Sequence, residues 1–433
     1  LEKIVDVCTR IDSHLELNYF LNKEQVKYVK LDTGVFRGFE TILKRKKLID
    51  IPKIVSRICG LCHASQTIVS CKAIENLYEI SPKPQSILIR KLLLSAELIK
   101  SHSVHFFFQS LPDLLNLFKI WNSPDEPYYI IKFDPQITSI IYDFIKLSTK
   151  INDFLGGRVL HLITPIPGGI VYKPNIRNLT SIQKSLQKAL FNSETLIKRF
   201  IDLFSKFNPP VEYNLNKISF LSLTENGKYE RYNGFLRFKQ NGNVSKDISI
   251  TQYSDYLNKD KEIIGIHFNS NFGKDVLTGP ISRFKINERY LQDSIKDYIN
   301  SFDKEWKNSL LFCNFLQLIE IFSEINECLE ILKDPKLNSY NSFPELRNII
   351  SKDGIAAIEA PRGTLIHHYH VNEKNIVDDV KLFIATEINM PLINKMITAY
   401  AQKLYQKEAI DTVMKKIQIM IRSFDPCISC ATH

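Results

Sequence analysis

Four of the eight cysteines in this 433-residue chain fall into two Cys-x-x-Cys pairs. "RICGLCHASQ" (Arg57–Gln66) carries Cys59 and Cys62, and "DPCISCATH" (Asp425–His433) carries Cys427 and Cys430. Four thiolates suit soft or borderline metals: zinc, an iron–sulfur cluster or nickel. A structural four-cysteine zinc site is the plain alternative, but zinc ribbons close loops of tens of residues, and these pairs lie at opposite ends of the sequence. A thioredoxin-like redox pair needs a compact βαβ setting and accounts for only one of the two. The spacing favours a metal site without naming the metal. Cys8, Cys71, Cys313 and Cys328 read as buried thiols.

The elements that must position these pairs are mostly helical. After "RICGLC", Ile68, Val69, Ala73, Ile74 and Leu77 follow a helical period, so the first pair should sit at a helix start, where the dipole favours thiolates. "KPQSILIRKLLLSAELIKSHSVHFFFQSLPDLL" reads as a long helix bent or ended near Pro112. "SIIYDFIKLSTKINDFLGG" reads as a helix stopped by its glycine pair, and "TSIQKSLQKALFNSETLIKRFIDLFSKF" as a third. "FRGFETILKRKKLIDIP" turns helical, and helices resume from "NERYLQDSIKDYIN" through "CLEIL". "INMPLINKMITAYAQKLYQ" and "AIDTVMKKIQIMIRSF" are the last. "LELNYFLNKEQVKYVKLDTG" predicts a hairpin, and "GIAAIEAPRGTLIHHYHV" a strand, turn and strand. From about 213 to 283, short β-prone runs broken by "ENG" and "NGN" predict a β-rich insertion packed on the helical body. The expected fold is mainly α with α+β elements: one domain over 1–433, a central bundle of long helices with peripheral hairpins and small sheets.

Composition removes several function classes. Hydrophobic content of 44% supports a sizeable core. The net charge of +10 is spread over scattered lysines and reads as a solvated surface. No aromatics interleave with Lys or Arg as in a nucleic-acid surface. No stretch approaches the ~18 uninterrupted apolar residues of a membrane span. The start, "LEKIVDVCTRIDSH", has no apolar signal region, so reduced thiols in the cytoplasm are expected. No glycine-rich phosphate loop is present.

Together the two cysteine motifs resemble those of the large subunit of nickel–iron hydrogenases. The resemblance continues between them. "TRIDSH" (Thr9–His14) is similar to a motif that usually reads Arg-Ile-Glu-Gly-His, and "FRGFE" (Phe36–Glu40) follows it. "GGRVLHLITPIPGGI" (Gly156–Ile170), "IEAPRGTLIHHY" (Ile358–Tyr369) and "LFIATEIN" (Leu382–Asn389) match further blocks in order. The resemblance implies the hydrogenase large-subunit fold and reversible oxidation of dihydrogen to protons and electrons. It implies nickel held by all four thiolates, with Cys59 and Cys427 terminal, and Cys62 and Cys430 bridging to an iron that carries carbon monoxide and two cyanides. Arg362, between Pro361 and Gly363, would lie over the metals. Leu365 and Ala385 would line the diatomic ligands, and Thr386 would hydrogen-bond a cyanide. Glu40, the carbonyl of Leu382 and His433 would form a separate magnesium site. The family also removes a C-terminal extension after this His, so the sequence is expected to be the processed form.

Two positions depart from the family pattern. Asp12 replaces the usual Glu and Ser13 the usual Gly. This carboxylate is the expected proton gate beside Cys427; being one methylene shorter, it is expected to need a bridging water. Gln66 stands where the family has His, and it can donate to a bridging sulfur but cannot titrate near neutrality. His63 is a candidate to compensate.

The expected partners are an iron–sulfur small subunit, further electron-transfer subunits and dihydrogen, with no nucleic acid and no direct membrane span. "ITPIPGGI" and "DPCISCATH" are closest to the cytosolic, multimeric branches, whose acceptors include nicotinamides, a deazaflavin and heterodisulfide-linked flavoproteins. The alternatives are a metal-free subunit like those of respiratory complex I, and a structural four-cysteine zinc protein.

Overall fold

The structure is a computed structural model that describes residues 2–22, 25–34, 37–122, 128–171, 175–240, 242–259, 268–273, 275–287, 295–339, 346 and 348–433. Its centre is a bundle of four long helices: Pro84–Val104, Pro135–Gly156, Ile176–Phe204 and Phe312–Lys333. Sequence dictates their ends. Asp134 caps the second by accepting from the N–H groups of Gln136 and Ile137, and Gly157, at φ 74°, stops it. Asn175 caps the third. Among the described residues no helix is long and apolar enough to cross a membrane.

The first helix of the bundle gives way near Pro112, as expected. It passes at His105–Ser110 into a π-helical turn, and Pro112 sits in the first turn of the next helix, Leu111–Leu117. The turn is held from outside: the His105 ring bonds Gln317 Oε1 and the Arg422 carbonyl, each at 2.7 Å. Residues 37–55 give only short pieces, the helices Phe39–Leu43 and Ile51–Val55. Phe36 and residues 288–294, within segments read above as helical, lie outside the described residues.

Small sheets surround the bundle. Strands Glu2–Val7, Glu16–Asn22 and Gln25–Asp32 form an antiparallel meander packed on the helix Ala385–Tyr405. Asp353–Ala360, Gly363–Val371 and Val377–Phe383 form a second, on which the helix His63–Leu77 lies. The β-rich stretch builds a four-stranded sheet, with Val276–Thr278 running parallel to Ser219–Thr224. One face meets the helical body, as expected: Phe220 and Leu277 join the main core, where the helices Pro280–Ile286 and Ala385–Tyr405 pack on their strands. On the other face Leu221, Leu223, Leu236 and Phe238 share a second core with Ile355, Ile366 and Phe383 of the second sheet. The strand period of two gives the sheet these two apolar faces.

One buried network ties these layers together. Arg283 is fully buried and grips Glu320 with two bonds, at 2.7 and 2.6 Å. It also reaches Glu359 at 3.1 Å and the carbonyls of Ala360 and Pro361 at 3.2 and 2.9 Å. Glu320 belongs to the bundle and Glu359 to the second sheet, so Arg283 fixes the turn that carries Arg362. Arg283→Met would strand two buried carboxylates, and urea unfolding should show a loss of about 3–5 kcal/mol.

Candidate metal centre

The two cysteine motifs meet in the core. Their four Sγ atoms lie within 4.8 Å of one another, and all four residues are buried. Cys62 and Cys430 approach to 2.8 Å, Cys427 and Cys59 to 3.4 Å. Cys62 is the N-cap of the helix His63–Leu77, and Cys427 the N-cap of Ile428–Ala431. Arg37, from the "FRGFE" motif, stitches the loops together: its guanidinium donates to the carbonyls of Ile58 and Ser429, one in each cysteine motif. Its own N–H donates to the Thr432 carbonyl at 2.7 Å.

Four thiols this close cannot ionise independently. Hydrogen bonds from Cys427, Cys430 and Cys62 hold the Cys59 thiol well below its usual range. Shared protons push Cys62 up, and burial does the same to Cys430 and Cys427. Only a cation among the sulfurs would let all four be thiolates.

A cavity of about 20 Å³ opens beside them, lined by Cys62, Cys427, Cys430 and Gln66 together with Pro361, Arg362, Leu365, Ala385 and Thr386. That is room for a very small species. Arg362 is anchored by Nε, which donates to Asp425 Oδ1 at 2.9 Å and to the Asp425 carbonyl at 3.0 Å. Its Nη1 and Nη2 are buried without a protein acceptor. A buried charged donor with nothing to bond is costly and marks a place for a ligand. Thr386 Oγ1 accepts from the Cys427 N–H at 2.9 Å, which leaves its own proton for the cavity. The donor set fits a soft metal centre bearing small acceptor ligands.

Asp12 departs from expectation. Asp12 and Cys427 form a parallel backbone bridge, and Asp12 Oδ2 lies 3.2 Å from Cys427 Sγ. No intervening water is needed, because the backbone approach makes up for the shorter side chain. Ser13 takes φ 69°, the left-handed region, which accounts for glycine as the family's usual residue there. Ser429 was not singled out from sequence, yet its hydroxyl donates to the same Asp12 oxygen.

Gln66 also acquires a partner that sequence reasoning missed. Its Oε1 accepts from His367 Nε2 at 2.8 Å, leaving only its N–H groups to offer. His367 Nδ1 lies 2.6 Å from the Tyr369 hydroxyl, which in turn lies 2.9 Å from Ser70 Oγ. Period two supplies the missed signal: Leu365, His367 and Tyr369 share one face of their strand. His63, the candidate compensator, does not line the cavity. It packs edge-on against His161, with ring centroids 5.9 Å apart.

The expected magnesium site holds a different cation. Glu40 Oε1 accepts from the N–H of Leu382, not beside its carbonyl, at 2.8 Å. Lys259, unremarked in the sequence, places Nζ 2.9 Å from Glu40 Oε1, 3.0 Å from His433 Nε2 and 3.1 Å from Glu387 Oε1. With an ammonium between them, these residues do not fit a divalent metal. Burial works against the Glu40 carboxylate, but the Lys259 ammonium and the Leu382 N–H help to hold it down.

Burial lowers the pKa of His367 to about 3, so it stays neutral in the fold. The unfolded chain takes up this proton near its ordinary pKa of about 6.5. Stability is therefore full above that pH and falls as pH drops toward the folded value. Replacing His367 with Asn should flatten the acid limb by up to about 1.4 kcal/mol per pH unit between those limits, measured by urea unfolding across pH.

Comparison with known proteins places this geometry. The family model for nickel-dependent hydrogenases matches residues 37–155 and 314–433. The chain is 26% identical to a subunit of the F420-non-reducing hydrogenase of Methanothermobacter marburgensis, over 98% of this chain and 93% of that protein. It is 24% identical to the NAD-reducing hydrogenase HoxS subunit beta of Cupriavidus necator, over 99% and 94%. Among solved structures, an NAD+-reducing NiFe hydrogenase in the H2-reduced state superposes with a TM-score of 0.92 at 23% identity, covering all of both chains. The Ni-Fe-Se hydrogenase from D. vulgaris Hildenborough gives 0.75 at 19%. With its fold, its four-thiol cluster and more than half its length matched, the chain belongs to the nickel-dependent hydrogenase family as a catalytic, large-subunit type.

Proposed function

We propose that this chain cleaves dihydrogen reversibly and heterolytically to protons and electrons, within a cytoplasmic heteromultimer. The observation that carries this reading is the pair of Arg362 Nη groups, buried without a protein acceptor, on the cavity that Cys62, Cys427 and Cys430 also line. A nickel–iron centre held here by Cys59, Cys62, Cys427 and Cys430, with carbon monoxide and two cyanides on iron, would supply the electron-rich site that polarises dihydrogen. The convergence of the four Sγ atoms within 4.8 Å supports that ligand set.

The chain's own groups divide the remaining work. Arg362 keeps a positive charge over the cavity at any working pH. Its Nη groups and the Thr386 hydroxyl are the donors that cyanide nitrogens need. Leu365 and Ala385, with Pro361, keep the wall apolar and exclude water. Gln66 contributes an amide N–H, held by His367. Asp12 takes the proton from Cys427 Sγ, with Ser429 steadying the carboxylate. Asp12 is half-buried while Ser13 and His14 are exposed, so the route from cluster to surface is short.

Electrons need another path. Among the described residues no second group of metal-ligating side chains is present. We infer that an iron–sulfur small subunit receives them, followed by subunits that set the final acceptor. A complex I-like subunit without metal is disfavoured by the four convergent thiols, and a zinc site by the cavity and the two Arg362 Nη groups left without a protein acceptor.

Infrared spectra of the purified complex should show carbon monoxide and cyanide bands; a nickel-loaded protein without them would overturn the proposal. Arg362→Lys should lower turnover by about 10²-fold or more with nickel retained. Asp12→Asn should abolish proton–deuterium exchange at unchanged metal content, whereas surviving exchange would remove Asp12 from the path.

A further inference from the structure

We infer that the Lys259 ammonium takes the place of a divalent cation at the junction of Glu40, Glu387 and His433, so that this part of the fold closes without a metal.

An ammonium carries three protons, and three acceptors surround this one, at 2.9, 3.0 and 3.1 Å. The imidazole is set for the purpose. His433 Nδ1 donates to the Cys430 carbonyl at 2.8 Å, so Nε2 is bare and must accept. Its partner is Lys259. The two carboxylates are committed as well. Glu40 also takes the Leu382 N–H, and Glu387 also receives the Ile384 N–H through Oε2 at 3.4 Å. Every member of the cluster is bonded, which is the condition for burying charge without a large penalty. The Phe383 ring adds a cation–π face, 5.4 Å from Nζ.

Magnesium prefers oxygen ligands at about 2.0–2.1 Å in near-octahedral array, with waters completing its shell, so what decides here is the nitrogen donor and the occupied centre rather than the number of protein ligands. The cluster offers two carboxylates and one imidazole nitrogen around a cation already in place. Like-charge repulsion at these distances excludes a second one.

The arrangement also says what the lysine is for. Lys259 ends the strand Leu257–Lys259, within the β-rich stretch. Glu40 belongs to the helix Phe39–Leu43, Glu387 to Ala385–Tyr405, and His433 follows Cys430 by three residues. One side chain thereby ties four segments together and holds the segment that carries Cys427 and Cys430. The inference rests on this geometry alone and stands whatever metal the four thiols bind.

The test is the divalent-cation content and thermal stability of the whole complex, independent of activity. Purified from magnesium-containing buffer, the wild type should hold no stoichiometric magnesium, manganese or calcium, and a chelator too weak to strip the thiol site should leave Tm unchanged. Lys259→Ala should melt several degrees lower and recover part of the loss as magnesium is added, because the emptied acceptors then bind it by mass action. One divalent cation per chain in the wild type, with a Tm that falls on chelation, would overturn the inference. So would a Lys259→Ala complex as stable as the wild type without added cation.

Discussion

Four thiols packed within 4.8 Å in a dry core are an unstable arrangement of charge. As thiols they waste their ligand capacity; as thiolates they repel in a medium that screens little. The rest of the structure is organised around that constraint. Burial keeps water and oxygen ligands away, Arg362 sets a permanent positive charge beside the sulfurs, and Asp12 stands ready to accept the proton a thiol gives up. Remove the need to hold four thiolates and these features have no common reason.

The constraint also accounts for the long sequence separation, since Cys62 and Cys430 stand 368 positions apart. A site built from both motifs exists only when the whole fold is closed. Three basic side chains do the closing. Arg37 joins carbonyls of both cysteine loops, Arg283 holds the Pro361 carbonyl beneath Arg362, and Lys259 holds His433. Each is bonded at several points, so the cluster is positioned by groups fixed on helices and sheets of different layers.

Much of this was legible in the sequence. The cysteine spacing, the Pro-Arg-Gly block and the order of motifs located the cluster and its guanidinium, and helical periodicity located the bundle. What was not legible arises from contacts between distant segments. Pro112 marks the interruption of the first helix, but the π form of the turn at His105, whose ring bonds Gln317 and Arg422, has no local signal. The reach of Asp12 depends on a backbone bridge to Cys427, and side-chain length alone pointed the other way. The β-rich stretch and its seat on the helical body were legible, but its second packing partner, the sheet that carries Ile355 and Ile366, was not, because alternation does not say what covers each face. Lys259 was invisible for a plainer reason: among scattered surface lysines, only its three acceptors distinguish it.

Nickel-edge X-ray absorption on the purified complex tests the central claim most directly. The account requires a nickel shell dominated by sulfur, at four cysteine ligands, with a single iron neighbour at short range. A nickel shell of nitrogen and oxygen, or zinc in place of nickel with no iron beside it, would contradict it.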